Sequence, residues 1–182
     1  MSEIIMEEDL IRKSDIDAKA VPRPVEDIRL LLTDVDGTLT DGGMYYGSDG
    51  TEFKKFNTRD GMGLQMLQRA GVKVGIVTSE NIAINENRAR KLGLDFLKQG
   101  ARDGGKLAAT REICEEMGIT MQQVAYIGDD VNCYDLLAAV GWAACPADAC
   151  DKVKTIPRIL VLKRRGGDAC VREWIDMILA QS

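Results

Sequence analysis

Asp34-Val35-Asp36-Gly37-Thr38 places two carboxylates on one short turn, directly after the apolar run at residues 28–33. Thr78, followed by Ser79 and Glu80, ends a second apolar run at 72–77, and Gly128-Asp129-Asp130 ends another at 124–127. Lys106 stands between the last two. A carboxylate can attack phosphorus as a nucleophile, and a second one beside it can shuttle a proton to a leaving oxygen and then from water. Asp34 suits the first role and Asp36 the second. A threonine hydroxyl and a lysine ammonium suit a phosphoryl oxygen and the charge that develops in the transition state, which are the roles open to Thr78 and Lys106. Four carboxylates at one place repel one another unless a cation joins them, and hard oxygen donors of this kind suit Mg²⁺. Isolated Asp residues at strand ends commonly form turns or cap helices, a reading that fits Asp41 or Asp60 individually better than it fits the whole set.

The elements that must position these groups follow from periodicity. The runs at 28–33, 72–77 and 124–127 read as buried strands, with shorter strands at 96–97, 142–144 and 159–162. Helical spacing predicts helices over 61–70, 83–92, 106–117, 134–140 and 171–179, several closed by glycine. Residues 44–46 and 53–56, joined by Gly47-Ser48-Asp49-Gly50, predict a β-hairpin. Strands alternating with helices imply a parallel sheet covered on both faces, whose carboxyl edge is where ligands sit.

Composition narrows the chemistry further. The chain has 182 residues and no histidine, which excludes Ser-His-Asp triads and His-containing zinc sites. Its five cysteines are odd in number and form no CxxC pair, which fits reduced thiols in a cytoplasmic protein. A formal net charge of −5 without a basic tract argues against a nucleic-acid partner. No apolar run is long enough for a signal peptide or a membrane span. Residues 1–26, with prolines at 22 and 24, read as an extension or linker, and 27–182 as one domain.

In their order along the chain, Asp34-Val35-Asp36-Gly37-Thr38, Thr78, Lys106 and Gly128-Asp129-Asp130 resemble the four motifs of the haloacid dehalogenase superfamily. The resemblance covers roughly residues 27–179 by eye. It implies an α/β, Rossmann-like three-layer fold, Mg²⁺ as cofactor, Asp34 as nucleophile and Asp36 as general acid/base. It also implies a metal held by the side chains of Asp34 and Asp129 and the backbone carbonyl of Asp36, with Asp130 in the shell around it. A receiver domain also gathers acids, a Thr and a Lys, but an Asp-x-Asp pair after the first strand does not suit its order. Two departures stand out: Asp103-Gly104-Gly105-Lys106 where the family has Asp-Lys, and Cys133 where it has an acid.

Only 43 residues separate Asp34 from Thr78 and 27 separate Thr78 from Lys106, which leaves no room for a cap domain. Gly42-Gly43-Met44-Tyr45-Tyr46, the stretch Lys54-Lys55-Phe56-Asn57-Thr58-Arg59-Asp60-Gly61, and Arg165-Gly166-Gly167 resemble the capless subfamily of 3-deoxy-D-manno-octulosonate 8-phosphate phosphatase and its nine-carbon relatives. That resemblance implies a sugar acid phosphate substrate, a hairpin flap that builds a homotetramer, and a glycine-rich tail, here Arg165, Gly166 and Gly167, reaching a neighbour's site. Thr78-Ser79-Glu80, with Arg88 and Lys91, looks like the nonulosonate 9-phosphate branch, whereas Arg59 looks like the eight-carbon branch. Glu80 would accept from sugar hydroxyls, and Arg88 and Lys91 would face the sugar carboxylate; an ordinary charged helix face explains the latter pair equally well. A broad-specificity phosphatase and a non-catalytic assembly module are the alternatives to a biosynthetic phosphatase of cell-surface glycan precursors.

Overall fold

The structure, a computed structural model, describes residues 27–181; the expected N-terminal extension, residues 1–26, lies outside them. Six parallel strands form the central sheet: β1 (Leu30–Thr33), β4 (Lys73–Val77), β5 (Phe96–Lys98), β6 (Val124–Ile127), β7 (Trp142–Cys145) and β8 (Leu160–Val161). Their order across the sheet is β5-β4-β1-β6-β7-β8. The two remaining strands, β2 (Tyr45–Tyr46) and β3 (Glu52–Phe53), pair only with each other, as an antiparallel hairpin.

Strand alternation splits the core in two. Leu31, Val74, Ile76, Ala125 and Ile127 face one side, where they meet α1 (Thr58–Arg69), α2 (Ala83–Leu92) and α6 (Cys170–Leu179). Leu30, Leu32, Val77, Val124 and Tyr126 face the other, against α3 (Gly105–Met117), α4 (Tyr134–Ala139) and α5 (Asp151–Lys154). Full burial of each Leu or Ile in these two layers contributes about 1.5–3 kcal/mol. The result is the parallel sheet covered on both faces that the alternating pattern predicts, and the three-layer Rossmann-like fold that the family resemblance implies.

Chain order makes β1 the switch point. From β1 the chain builds β4 and β5 on one side and then returns to lay β6, β7 and β8 on the other. A crevice therefore opens beyond the carboxyl end of β1, flanked by the ends of β4 and β6. The 28–33 run starts its ladder only at Leu30, and the helix predicted from Gly61 begins three residues earlier, at Thr58. There the Asn57 side chain caps it by accepting from the Arg59 N–H, a polar signal that apolar periodicity does not register.

Candidate active site

The crevice contains a cavity of about 270 Å³ lined by Asp34, Asp36, Gly37, Gly42, Thr78, Ser79, Glu80, Asp129, Asp130 and Asn132. Asp34 leaves β1 with its N–H donating to the Ile127 carbonyl at 3.0 Å, which ties the first carboxylate to the end of β6. Its Oδ1 accepts from the Val35 N–H at 2.8 Å. Its Oδ2 accepts from Lys106 Nζ at 2.5 Å and from the Cys133 thiol at 3.0 Å. Both carboxylate oxygens are thus fixed, and Asp34 is only 4% exposed.

Lys106 reaches Asp34 from the first turn of α3, which Gly104 precedes, so the two additional glycines do not withdraw it from the site. Burial disfavours its charge, but Asp34 and Cys133 outweigh burial and hold its pKa above the ordinary lysine value. Cys133 accepts from Lys106 Nζ at 3.2 Å and from the Tyr126 hydroxyl at 3.3 Å. Burial first, and the Asp34 charge second, push its thiol up to about 12, so it stays protonated and acts as a donor to Asp34.

The chemistry of the donor set fits a divalent cation. Asp34 and Asp129 offer oxygens that, with the Cys133 sulfur, all lie within 4.8 Å of one another. The Asp129 carboxyl is pushed up to about 7, by burial and then by the nearby charges of Asp34 and Asp130. Crowded carboxylates in that electrostatic state are relieved by a cation. Gly37, at a φ of 73°, approaches so closely that a Cβ there would overlap the Asp129 carboxylate, so the turn and the last acid fit together only through glycine.

The remaining expected residues fall into two groups. Thr78 is buried at the end of β4, while Ser79 Oγ accepts from Asn132 Nδ2 at 3.2 Å and Glu80 lies 3.6 Å from the Arg102 guanidinium. Asp130 lines the cavity and caps the turn before α4 by accepting from the Val131 N–H. Arg59, Arg88, Lys91 and Arg165 are not among the lining residues of this cavity. Arg88 is half-buried between α1 and α2, where it donates to the Asn57 carbonyl at 3.1 Å and lies 5.1 Å from the centre of the Phe56 ring. Arg59 borders a separate groove with Arg164 and Arg172, and Lys91 is exposed on α2.

The double glycine also makes close contacts within its own chain. Gly167 N–H donates to the Thr38 carbonyl at 2.9 Å, and a Cβ on Gly166 would overlap the Gly37 backbone. Arg165 pairs instead with Asp148 at 3.1 Å, and Gly166 N–H donates to the same carboxylate at 2.9 Å. Within one chain these glycines brace the Asp34-to-Thr38 turn from behind, and this close backbone approach calls for glycine.

Lys54 was not legible as a site residue. It follows β3 and places Nζ 2.6 Å from Asp36 Oδ1, with its side chain 1% exposed. Alternation in the hairpin, with Phe53 outward and Lys54 inward, is the signal that could have found it, but a lysine in a short hairpin ordinarily reads as solvated.

Comparison with known proteins agrees with this geometry. Residues 60–141 match the family model described as haloacid dehalogenase-like hydrolase. The chain is 40% identical over 153 residues to the 3-deoxy-D-manno-octulosonate 8-phosphate phosphatase KdsC of Yersinia pestis, covering 84% of this chain and 80% of that one. A crystal structure of the Yersinia pestis phosphatase superimposes with a TM-score of 0.82 at 39% identity, over 87% of this chain and 84% of that one. The Moraxella catarrhalis phosphatase, solved with magnesium ion, phosphate ion and a KDO molecule, gives a TM-score of 0.82 at 32% identity, over 93% and 92%. With its Asp34-to-Thr38 turn, buried lysine and terminal acids in one crevice, the chain belongs to the haloacid dehalogenase-like hydrolases and is a phosphatase of the group that contains these octulosonate 8-phosphate phosphatases.

Proposed function

We propose that the protein is a Mg²⁺-dependent phosphomonoesterase acting on a 2-keto-3-deoxy sugar acid phosphate, 3-deoxy-D-manno-octulosonate 8-phosphate first among them, through an aspartyl-phosphate on Asp34. The observation that carries this reading is the fixed Asp34 carboxylate, held by Lys106 and Cys133 in a cavity shared with Asp36, Thr78 and Asp129. The identity with phosphatases of that name supports the substrate class.

Asp34 attacks phosphorus and the bond to the sugar oxygen breaks, with Asp36 giving that oxygen its proton. Water then attacks the phosphorus of the aspartyl-phosphate, Asp36 takes a proton from it, and the Asp34 O–P bond breaks to release phosphate. Lys106 offsets the charge that builds on the way, and the Thr78 hydroxyl donates to a phosphoryl oxygen. Asp34, Asp129 and the Asp36 carbonyl, with Asp130 nearby, would hold a cation, which would supply charge that screens one anion from the other.

The same reading makes the protein a cytoplasmic homotetramer of phosphatase domains spanning 27–182. Met44, Tyr45, Tyr46 and Phe53 of the hairpin are exposed, and a two-stranded hairpin with an uncovered apolar surface calls for a partner, here other copies of the chain. Five free cysteines suit a reducing compartment, and no described helix is long and apolar enough to cross a membrane. Glu80 on the cavity wall is the observation that favours a nine-carbon substrate as the second reading, since it would accept from extra hydroxyls.

Phosphate release from octulosonate 8-phosphate, nonulosonate 9-phosphates and simple hexose phosphates, with Mg²⁺ or EDTA, tests the substrate. Metal-dependent turnover that favours the eight-carbon compound by at least roughly tenfold is expected. Equal, weak turnover of all of them would leave a generalist phosphatase instead.

A further inference from the structure

We propose that Lys54 is a positioning residue that makes Asp36 an effective base for the second half-reaction. This rests on the aspartyl-phosphate chemistry above. The ammonium lies 2.6 Å from Asp36 Oδ1, and the two side chains differ sharply in exposure, 1% for Lys54 and 34% for Asp36. Lys54 is therefore held inside the protein while the carboxylate it grips faces the cavity. A charge-assisted bond of this length fixes both the rotation of the Asp36 carboxylate and which oxygen remains for the reacting group. Gripping Oδ1 leaves Oδ2 to meet the water.

Among the described residues, no other side chain forms an ion pair with Asp36. Asp36 itself sits at non-helical backbone angles inside the turn Val35–Leu39, so the turn alone gives its side chain no helical packing to rest on. The hairpin supplies the missing support across 18 residues of sequence, since Thr40 and Phe56 form the bridge at its base and Lys54 lies just inside that bridge. The hairpin is thus part of the catalytic apparatus as well as an exposed surface.

The two half-reactions separate this role from a merely structural pin. With p-nitrophenyl phosphate, Asp34 attacks phosphorus and p-nitrophenolate leaves without needing a proton, so the first step does not call on Asp36 as an acid. In the second step water attacks phosphorus, Asp36 takes the water proton, and the Asp34 O–P bond breaks. If Lys54 positions Asp36 for that step, Lys54→Met leaves the first step near its wild-type rate and slows the second. Stopped-flow measurement with Mg²⁺ should then show a burst of about one nitrophenolate per subunit followed by a steady state slowed roughly 100-fold. Lys54→Arg, which keeps a buried cation, should recover much of the steady-state rate, and Lys54→Gln gives the same readout should the Met variant not fold.

A folded Lys54→Met or Lys54→Gln enzyme with unchanged turnover, or one whose two phases fall together, would overturn the positioning role and leave the phosphatase chemistry standing. A wild-type enzyme inactive on both this ester and the sugar acid phosphates would remove the underlying reading, and the inference with it.

Discussion

Two buried acids in this protein carry opposite lessons about charge. Asp34 is buried and matched, with Lys106 and the Cys133 thiol on the same oxygen. Breaking such a pair from one side leaves an unpaired buried charge, at about 3–5 kcal/mol, so part of the chain's stability is tied up in its chemistry. Asp60, at the start of α1, is buried with one oxygen accepting from the Arg172 N–H at 2.8 Å and the other without a hydrogen-bond partner among the described residues. Burial pushes its carboxyl up to about 6, partly offset by the Arg172 N–H and the Arg88 charge. Because this lies above the ordinary value of 3.8, the folded chain binds the proton more tightly than the unfolded one. The resulting stabilisation is full below that ordinary value and is lost as pH rises through about 6. At pH 8 the ionised group costs on the order of 3 kcal/mol. Asp60→Asn keeps an acceptor for Arg172 and stays neutral, so urea unfolding should show the variant more stable at pH 8, with the gain shrinking by pH 5. A difference independent of pH would show that Asp60 is not the titrating group. That the four acids Asp34, Asp36, Asp129 and Asp130 gather in one crevice was legible in the sequence, because each sits next to a strand end and pairs with glycine or another acid. Lys54 and the roles of Cys133 and Tyr126 were not, since each depends on which distant side chain the fold brings alongside.

At the scale of elements, the parallel strands were the most legible part. Residues 124–127 and 83–92 were predicted with the bounds observed for β6 and α2, because uninterrupted apolar runs and glycine stops mark them. The hairpin came out shorter, with two residues in each strand, and the helix α5 went unseen because four residues make too little periodicity to detect. The contacts that Gly166 and Gly167 make within the chain were hidden for a related reason. Local sequence reads as a glycine-rich tail, and only the folded chain reveals the Gly37 backbone packed against it. The hairpin's exposed Tyr46, 64% accessible and paired with Glu52, makes a direct probe of assembly. Tyr46→Asp adds a charge without disturbing a packed core, so analytical ultracentrifugation should show the wild type as a tetramer and the variant as smaller species. A wild type that sediments as a 20.0 kDa monomer would refute hairpin-driven assembly.

For the whole molecule, the topology explains why so few residues suffice. The switch between β1 and its neighbours brings the ends of β1, β4 and β6 to one crevice, and Lys106 arrives from the helix after β5. Groups separated by up to 99 residues, as Asp34 and Cys133 are, meet at hydrogen-bond distance without a cap domain or a histidine. The proposed mechanism makes the Asp34 carboxylate the nucleophile. Phosphate release from octulosonate 8-phosphate with Mg²⁺, compared between the wild type and Asp34→Asn, addresses that directly, because the amide keeps an acceptor for Lys106 while removing the attacking charge. The wild type should turn over and the variant should lose at least roughly 1,000-fold in rate while remaining folded; an Asp34→Asn protein with near wild-type turnover would mean that the phosphoryl group never passes through Asp34.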